Sequence, residues 1–433
     1  MNLIYSLISL LMIVTNLCKQ LRVKLKIKMI NKINEFVQRL STKCEPQDLI
    51  VAFEKLKSIE RAKFIVNKST TSKFQRFMCY FIFIFNNIAV SRYLILGLTN
   101  DKTLQFILGD HFATFNERTF FNIMIYLANY QGMTMNYFNI HLNNFVDKPF
   151  TRILEDYVES ITTYKGELYL SNYHNRLVRK WYTYGIRIMI FFTYLIVIYA
   201  FITNFLIVVT ERKDLRTLYV QLSLLCVFQY FKHFSSFSTN WFLLHWFITI
   251  LFTYCRLSSF TTVFNNQLES SQGQKTFIFE LQKFNNWLDS FNRQISLTTL
   301  FIFSYLSFFT VVIVYYGSQH NFVHTGINVL FRVASVASPL IISLFCYFVS
   351  FIPRKGKRLH LMIYKLSTFN CKDAQLMLKR LEILDRFSYR KIGLYLNENK
   401  LICNHFSIIF LLECIGLYLL MYTNINKRAL VSY

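Results

Sequence analysis

Apolar blocks of about 20 residues alternate along the chain with blocks rich in Lys and Arg. That length, at about 1.5 Å per helical residue, matches the ~30 Å hydrocarbon core of a bilayer. The pattern predicts seven crossing helices: Phe77–Leu98, Phe120–Phe138, Ile188–Val209, one within Leu218–Leu257, Ile295–Tyr316, Ile327–Ile352 and Leu401–Thr423. The fourth apolar block is too long for one simple span. Its membrane part is expected near Trp241–Leu257, with Leu218–Phe231 extending it or lying at the outer surface. The fold class that follows is all-α, a seven-transmembrane helical membrane protein.

Charge gives these spans a direction. Residues 18–76 carry 15 Lys/Arg, residues 139–181 carry 6, residues 258–294 carry 3 and residues 353–400 carry 12, which places 36 on one side. The other side has 8: Lys102, Arg118, Arg212, Lys213, Arg216, Lys232, Lys427 and Arg428. Basic residues gather on the cytoplasmic face, so the amino terminus is expected inside and the carboxyl terminus outside. Residues 1–76 then form a basic cytoplasmic segment, 77–400 hold six helices and their loops, and 401–433 hold the seventh helix and a short outer tail. Asn2–Leu17 is apolar but short and has no basic residue before it. It is expected on the inner membrane surface, the alternative being an extra span. The only glycosylation sequon, Asn67-Lys68-Ser69, falls on the inner side and is expected to carry no glycan.

The net charge of +25 does not imply nucleic acid, because the basic residues sit where membrane topology puts them. Charged residues make up only 16% of the chain, against roughly a quarter in soluble domains. None of the nine cysteines forms a CxxC pair, so neither a disulfide framework nor a zinc site is expected. No P-loop, GxSxG, HExxH or GxGxxG occurs, so no enzymatic activity and no cofactor are expected. His320 and His324 sit four apart in a short loop and are taken as scattered polar residues rather than metal ligands.

Two inner segments repeat apolar residues at helical spacing: Phe277, Leu281, Phe284 and Leu288 within 258–294, and Leu359, Ile363, Leu366, Leu376, Leu381 and Ile383 within 359–386. They are expected to continue the spans as helices below the membrane, packing on each other or on a neighbouring subunit. The alternative is an amphipathic helix on the lipid surface.

Charges within spans are costly. Arg92, Arg187 and Arg332 lie in or at the edges of spans, where snorkelling is expected. Glu413 lies midway along the seventh span and cannot snorkel far. Helical spacing aligns Glu413, Leu417, Leu420 and Asn424 on one stripe. A polar–apolar–apolar–polar stripe suits a pore wall with a dry constriction, and acidic rings favour cations. The competing reading is a Glu413 paired or protonated inside the bundle. The outer halves of the other spans carry Tyr199, Thr203 and Asn204; Trp241, His245 and Trp246; Thr310, Tyr315 and Tyr316; and Ser335 and Ser338 before Pro339. Aromatic walls with a few hydrogen-bonding groups suit a small-molecule site. An interfacial aromatic belt is the plainer alternative.

The last stretch resembles the arthropod gustatory receptor family. That family's seventh span ends in Thr-Tyr, five apolar residues, then Gln-Phe. Here Leu417-Tyr418-Leu419-Leu420-Met421-Tyr422-Thr423-Asn424-Ile425 keeps the Tyr and replaces Thr, Gln and Phe by Leu417, Asn424 and Ile425. Phe387-Ser388 and Gly393 look like the family's Phe-Ser and Gly before that span. The motif covers about the last 40 residues, and topology and loop sizes agree over the rest. The resemblance implies a chemosensory, ligand-gated, non-selective cation channel of the plasma membrane. It implies four subunits, the same or related, around one pore lined by the seventh spans. A small-molecule tastant is expected in the outer half of spans two to six. By the same likeness Tyr418 sits at the pore helix, and Asn424 and Ile425 sit near the gate.

A G-protein-coupled receptor, the first rival, needs the opposite orientation, and neither Asp-Arg-Tyr after the third span nor Asn-Pro-x-x-Tyr in the seventh is present. A secondary transporter, the second, often shows inverted repeats and helices broken by Gly or Pro. No repeat is visible here, and only Pro339 lies inside a span.

Overall fold

The computed structural model describes residues 45–62, 73–110, 112, 118–145, 153–162, 170–211, 215–267, 271–319, 325–367, 374–389, 392–397 and 400–431. Asn2–Leu17, Asn67 and the His320/His324 pair lie outside the described residues. The chain divides into two compact units, Met1–Asp48 and Leu49–Tyr433, and the helical bundle belongs to the second.

The elements in chain order are α1 (Pro46–Ala62), α2 (Lys73–Leu98), α3 (Lys102–Ile107), α4 (Arg118–Phe145), α5 (Ile153–Thr162), α6 (Asn172–Glu211), α7 (Leu215–Gln267), α8 (Ser271–Gln319), α9 (Thr325–Val349), α10 (Phe351–Ser367), α11 (Ala374–Tyr389), a hairpin of β1 (Tyr395–Asn397) and β2 (Lys400–Leu401), and α12 (Asn404–Val431). Each expected span lies on a long helix: α2, α4, α6, α7, α8, α9 and α12 in turn. The fold is that of a seven-transmembrane helical protein, nearly all α. The one departure from helix among the described residues is the small antiparallel hairpin, so the last helix begins at Asn404 rather than at Leu401.

The central pair is α7 and α8, of 53 and 49 residues. Each runs about 75–80 Å, well over twice the ~30 Å hydrocarbon thickness. The surplus forms a second packed layer at the end of the bundle that carries α1, here called the lower end. In that layer Phe260 meets Phe277 edge-on at 5.7 Å, Phe284 stacks on Trp287 at 5.8 Å, and Trp287 stacks on Phe291 at 5.7 Å. Phe277, Leu281, Phe284 and Leu288 are all buried. The helical spacing of these residues therefore marks a protein core rather than a lipid-surface helix. Arg256 crosses this core to Glu280, with Nη2 to Oε2 at 3.1 Å, its guanidinium lying over the Phe284 ring at 5.3 Å. Leu359 and Ile363 of α10 and Ile383 of α11 complete the layer; Leu381 turns outward at 48% exposure, and the side chains of Leu366 and Leu376 lie outside the described residues.

Asn292 ties the hairpin to α8. Asn292 donates to the Gly393 carbonyl at 3.1 Å and accepts from the Tyr395 N–H at 3.3 Å. A side chain at Gly393 would come within 2.4 Å of the Leu401 side chain and 3.0 Å of Pro353, so one placed there would have to displace Leu401.

At the opposite, upper end, a short loop joins α2 to α4. Asp101 caps α3 by accepting from the Thr103 N–H at 2.8 Å, and Gly109, at φ +69°, turns the chain back where other residues would be strained. Asp110 is buried and ion-paired with Arg118, and Arg118 also donates to the Thr99 carbonyl at 2.9 Å. Gln221 of α7 donates to the Phe106 carbonyl at 3.2 Å. Arg92 does not snorkel: it is buried, donates to the Leu108 carbonyl at 2.9 Å and lies over the Phe228 ring at 3.7 Å. A loop carbonyl and an aromatic face together solvate the guanidinium in place of water.

These contacts fix the level of α7. Gln221, Phe228 and Ser238 lie beside Phe106, Arg92 and Asn139 respectively, so Leu215–Asn240 runs alongside the first two spans. By composition Phe237–Thr262 also qualifies as a span, but 78% of its most apolar window is buried inside the protein, against 44% for the first span. The part of α7 alongside the first two spans thus includes Leu215–Asn240, and Trp241–Leu257 lies in the part most enclosed by protein.

Candidate functional site

α12 is apolar along most of its length and packs on α8 and α9. Phe406, Phe410, Cys414 and Tyr418, each four residues after the last, face the bundle. Phe410 and Cys414 are buried, and Phe303 of α8 meets Phe406 edge-on at 5.3 Å. Much of the helix between Ile408 and Thr423 faces outward. Ile408, Ile409, Leu412, Ile415, Leu417, Leu419 and Leu420 are each between 43% and 61% exposed, and nothing lies within 4 Å of where a side chain at Gly416 would project. Glu413 is exposed on this arc together with Leu417 and Leu420. Three members of the expected stripe thus share one outward face. Asn424 and Ile425 continue the same helix, and their side chains lie outside the described residues.

Tyr418 does not belong to that face. Its ring lies 6.4 Å from Tyr315, and its hydroxyl is 3.3 Å from the Ser318 hydroxyl, so it ties α12 to the upper part of α8. Helical geometry requires the split, because residues 417 and 418 point about 100° apart.

The expected ligand residues fall into two groups. Tyr315 and Tyr316 sit at the upper end within an aromatic cluster. Tyr316 stacks on Phe120 at 3.8 Å, and Phe120 lies 6.1 Å from Phe331 and 5.6 Å from Phe121. Four helices meet here, since Tyr418 of α12 joins through Tyr315. Thr310 is buried on the same helix, Ser335 donates to the Arg332 carbonyl at 2.7 Å, and the Ser338 hydroxyl is buried with no hydrogen-bond partner among the described residues. A side chain at Gly317 would come within 2.6 Å of the Phe331 carbonyl oxygen and 2.9 Å of Ser335, so glycine lets α8 and α9 touch at this level. Asn204 is buried on α6, whereas the side chains of Tyr199 and Thr203 lie outside the described residues. The sequence reading missed Phe120 and Phe331. Both lie at span edges, where an aromatic residue carries no distinguishing signal.

Trp241, His245 and Trp246 do not join this group. They lie at the lower end, level with the last residues of the second span. Trp241 donates from Nε1 to Oε1 of Glu60 on α1 at 2.7 Å, His245 Nε2 stands 3.9 Å from the same oxygen, and the two rings lie 4.2 Å apart, tilted at 53°. Lys57 reaches Oε2 of Glu60 at 3.0 Å and also pairs with Glu155 of α5. Trp246 meets Phe303 edge-on at 6.4 Å. Burial alone would raise the Glu60 carboxyl, but the neighbouring His245 ring, the Lys57 charge and the Trp241 donor together hold it below the usual carboxylate range. Burial likewise opposes the charge on Lys57, and the two neighbouring carboxylates outweigh it and hold the ammonium above its ordinary value. These residues clamp α1 to the bundle.

The fold and the exposed arc of α12 define a seven-helix membrane protein whose last helix lacks a full set of neighbours. No protein-family model matches the chain, and no curated protein matches it. In structure it is similar to the insect olfactory receptor OR5 from Machilis hrabei, with a TM-score of 0.58 at 11% identity over 86% of this chain and 98% of that one. The chain has the fold of that insect chemoreceptor.

Proposed function

We propose that the protein is a chemosensory receptor of the arthropod gustatory type, acting in the plasma membrane as a ligand-gated, non-selective cation channel. The observation that carries this is α12: an apolar helix with more than half its circumference uncovered and a carboxylate, Glu413, on the open side. A lone carboxylate facing lipid is costly, so that face is better satisfied around a water-filled axis shared with other copies. Four subunits, identical or related, would present Glu413 as an acidic ring and Leu417 and Leu420 as the dry constriction beside it. The likeness to an olfactory receptor structure supports the chemosensory reading, and the altered seventh-span motif supports the gustatory branch. A tastant would bind at the upper aromatic cluster around Tyr315, Tyr316 and Ser338. Tyr418 touches Tyr315 and sits beside the outward-facing Leu417, so ligand contacts there bear directly on the pore helix. Binding favours the open state only by differential affinity for the two states.

The test is current recording from cells expressing the protein against a panel of tastants. Ligand-evoked cation current is expected. Glu413→Gln is expected to lower preference for divalent over monovalent cations severalfold, and Asn424→Ala to change conductance. If both variants match the wild type in selectivity and conductance, the pore assignment is wrong. Labelling of the carboxyl-terminal tail on intact cells tests the orientation, and a tail reached only after permeabilisation would overturn it.

A further inference from the structure

A groove of about 730 Å³ opens at the lower end between α4, α8 and α11. It lies far from the upper aromatic cluster and touches neither α12 nor the Glu60 clamp. Its lining changes character across a short distance. Tyr137, Phe138 and Leu297 form one edge, with Tyr137 and Leu297 exposed at 54% and 67%. Arg293 and Arg386 line the remainder, together with His141 and several amides and hydroxyls.

The groove straddles a boundary that hydropathy drew independently. The second span was read to end at Phe138 and the fifth to begin at Ile295, so the apolar edge falls just inside the membrane and the basic part just outside it. Charge sorting puts this same end on the cytoplasmic side.

The two guanidiniums are not equivalent. Arg386 donates to Asn286 Oδ1 at 2.9 Å and stands 3.9 Å from the Asp289 carboxylate, which fixes its position and offsets part of its charge. Arg293 is exposed and makes no ion pair among the described residues. Two guanidiniums against one carboxylate leave the groove net positive. A soluble anion would need only the basic part and would leave Tyr137 and Leu297 in the open. A lipid phosphate ester uses both parts, its headgroup on the guanidiniums and its glycerol and upper acyl carbons along the aromatic and leucine edge.

We propose that this groove binds the headgroup of an anionic phospholipid of the inner leaflet. The proposal rests on the charge-derived orientation and is independent of the channel reading. The full chain, purified in neutral detergent, is titrated with dioctanoyl phosphatidylserine, dioctanoyl phosphatidylcholine and inorganic phosphate, and binding is read by retained mass and by melting temperature. Phosphatidylserine is expected to bind and to raise the melting temperature, with phosphatidylcholine and inorganic phosphate doing neither. Arg293→Gln is expected to weaken phosphatidylserine about fivefold, the contribution of one surface cation. Leu297→Asn is expected to weaken it as well, and carries the test if Arg293→Gln does not melt as a folded protein. Equal binding of phosphatidylcholine, unchanged affinity in both variants, or displacement of the lipid by inorganic phosphate at equal concentration would each overturn the assignment.

Discussion

The lower half of α7 and the whole of α12 are both long and apolar, yet they sit in opposite surroundings. Phe260, Phe277, Phe284 and Phe291 are sealed among their own kind, whereas Leu412, Leu417 and Leu420 on α12 face outward. Hydropathy reports how poorly a residue fits water. It does not report whether the alternative is protein or lipid. The two cases differ in what accompanies the apolar residues. In the lower layer Arg256 pairs with Glu280, and Asn292 bonds to the hairpin backbone. On α12 Glu413 faces out of the subunit with the leucines. An enclosed core satisfies its own polar atoms, and a surface that does not points to a missing neighbour.

The sharpest way to test the enclosed side is Phe284→Ala. The ring is fully buried between Phe260 and Trp287, and its removal leaves a cavity in a rigid layer. A loss of about 3–5 kcal/mol is expected, read as a large fall in melting temperature and in the yield of folded protein. A loss within about 0.5 kcal/mol, typical of surface sites, would mean that the lower layer is loosely packed.

A smaller effect is expected at the α1 clamp, where the contrast becomes one of pH. Glu60 is held below its ordinary value of 4.5, so its charged form stabilises the fold at neutral pH. A carboxyl depressed by folding contributes fully above its unfolded value and loses that contribution as pH falls through the folded one. Stability of the wild type is therefore expected to decline below about pH 4.5. Glu60→Gln should keep an acceptor for Trp241, leave Lys57 paired with Glu155, cost about 1 kcal/mol at pH 7 through the lost Lys57–Glu60 ion pair, and flatten the acid limb. Melting curves from pH 7 to pH 3.5 check this, and an unchanged acid limb in the variant would remove Glu60 from the clamp's energetics.

Much of this architecture was legible in the sequence, for physical reasons that also mark where legibility ends. All seven helices were visible, because a bilayer demands a length and an apolarity that few soluble helices sustain together. The spacing of Phe277, Leu281, Phe284 and Leu288 marked a core-facing stripe, and Glu413, Leu417 and Leu420 were placed on one face by the 3.6-residue turn alone. Phe237–Thr262 is long and apolar enough to cross a membrane while being largely wrapped in protein, a distinction hydropathy does not report. Trp241 and His245 were grouped with the upper aromatics for the same reason. Their partner, Glu60, lies 181 residues earlier along the chain from Trp241, and no local pattern reports a contact of that separation. Arg92 was read as a snorkelling residue because the loop carbonyl and the Phe228 ring that receive it are tertiary features.

The least costly substitution tests the open side of the comparison. Leu412 is 61% exposed in the single subunit and lies on the same outward arc as Glu413. If that arc faces lipid only, Leu412→Ala removes methyl groups from one apolar medium into another, and both folding and assembly stay within about 0.5 kcal/mol of the wild type. If the arc is covered by a neighbouring copy, the same change leaves a gap at a subunit seam. Monomer melting then stays the same, while the population of tetramer falls in detergent, as read by mass on native gels or by light scattering. Because lipid tails are as apolar as leucine, the loss in the second case comes from packing rather than from the hydrophobic effect. It is therefore expected to be modest, about 1 kcal/mol per seam, which four equivalent seams around a ring would make visible. An unchanged tetramer population in Leu412→Ala, Leu417→Ala and Leu420→Ala alike would leave α12 open to lipid and remove the structural ground for a shared axis.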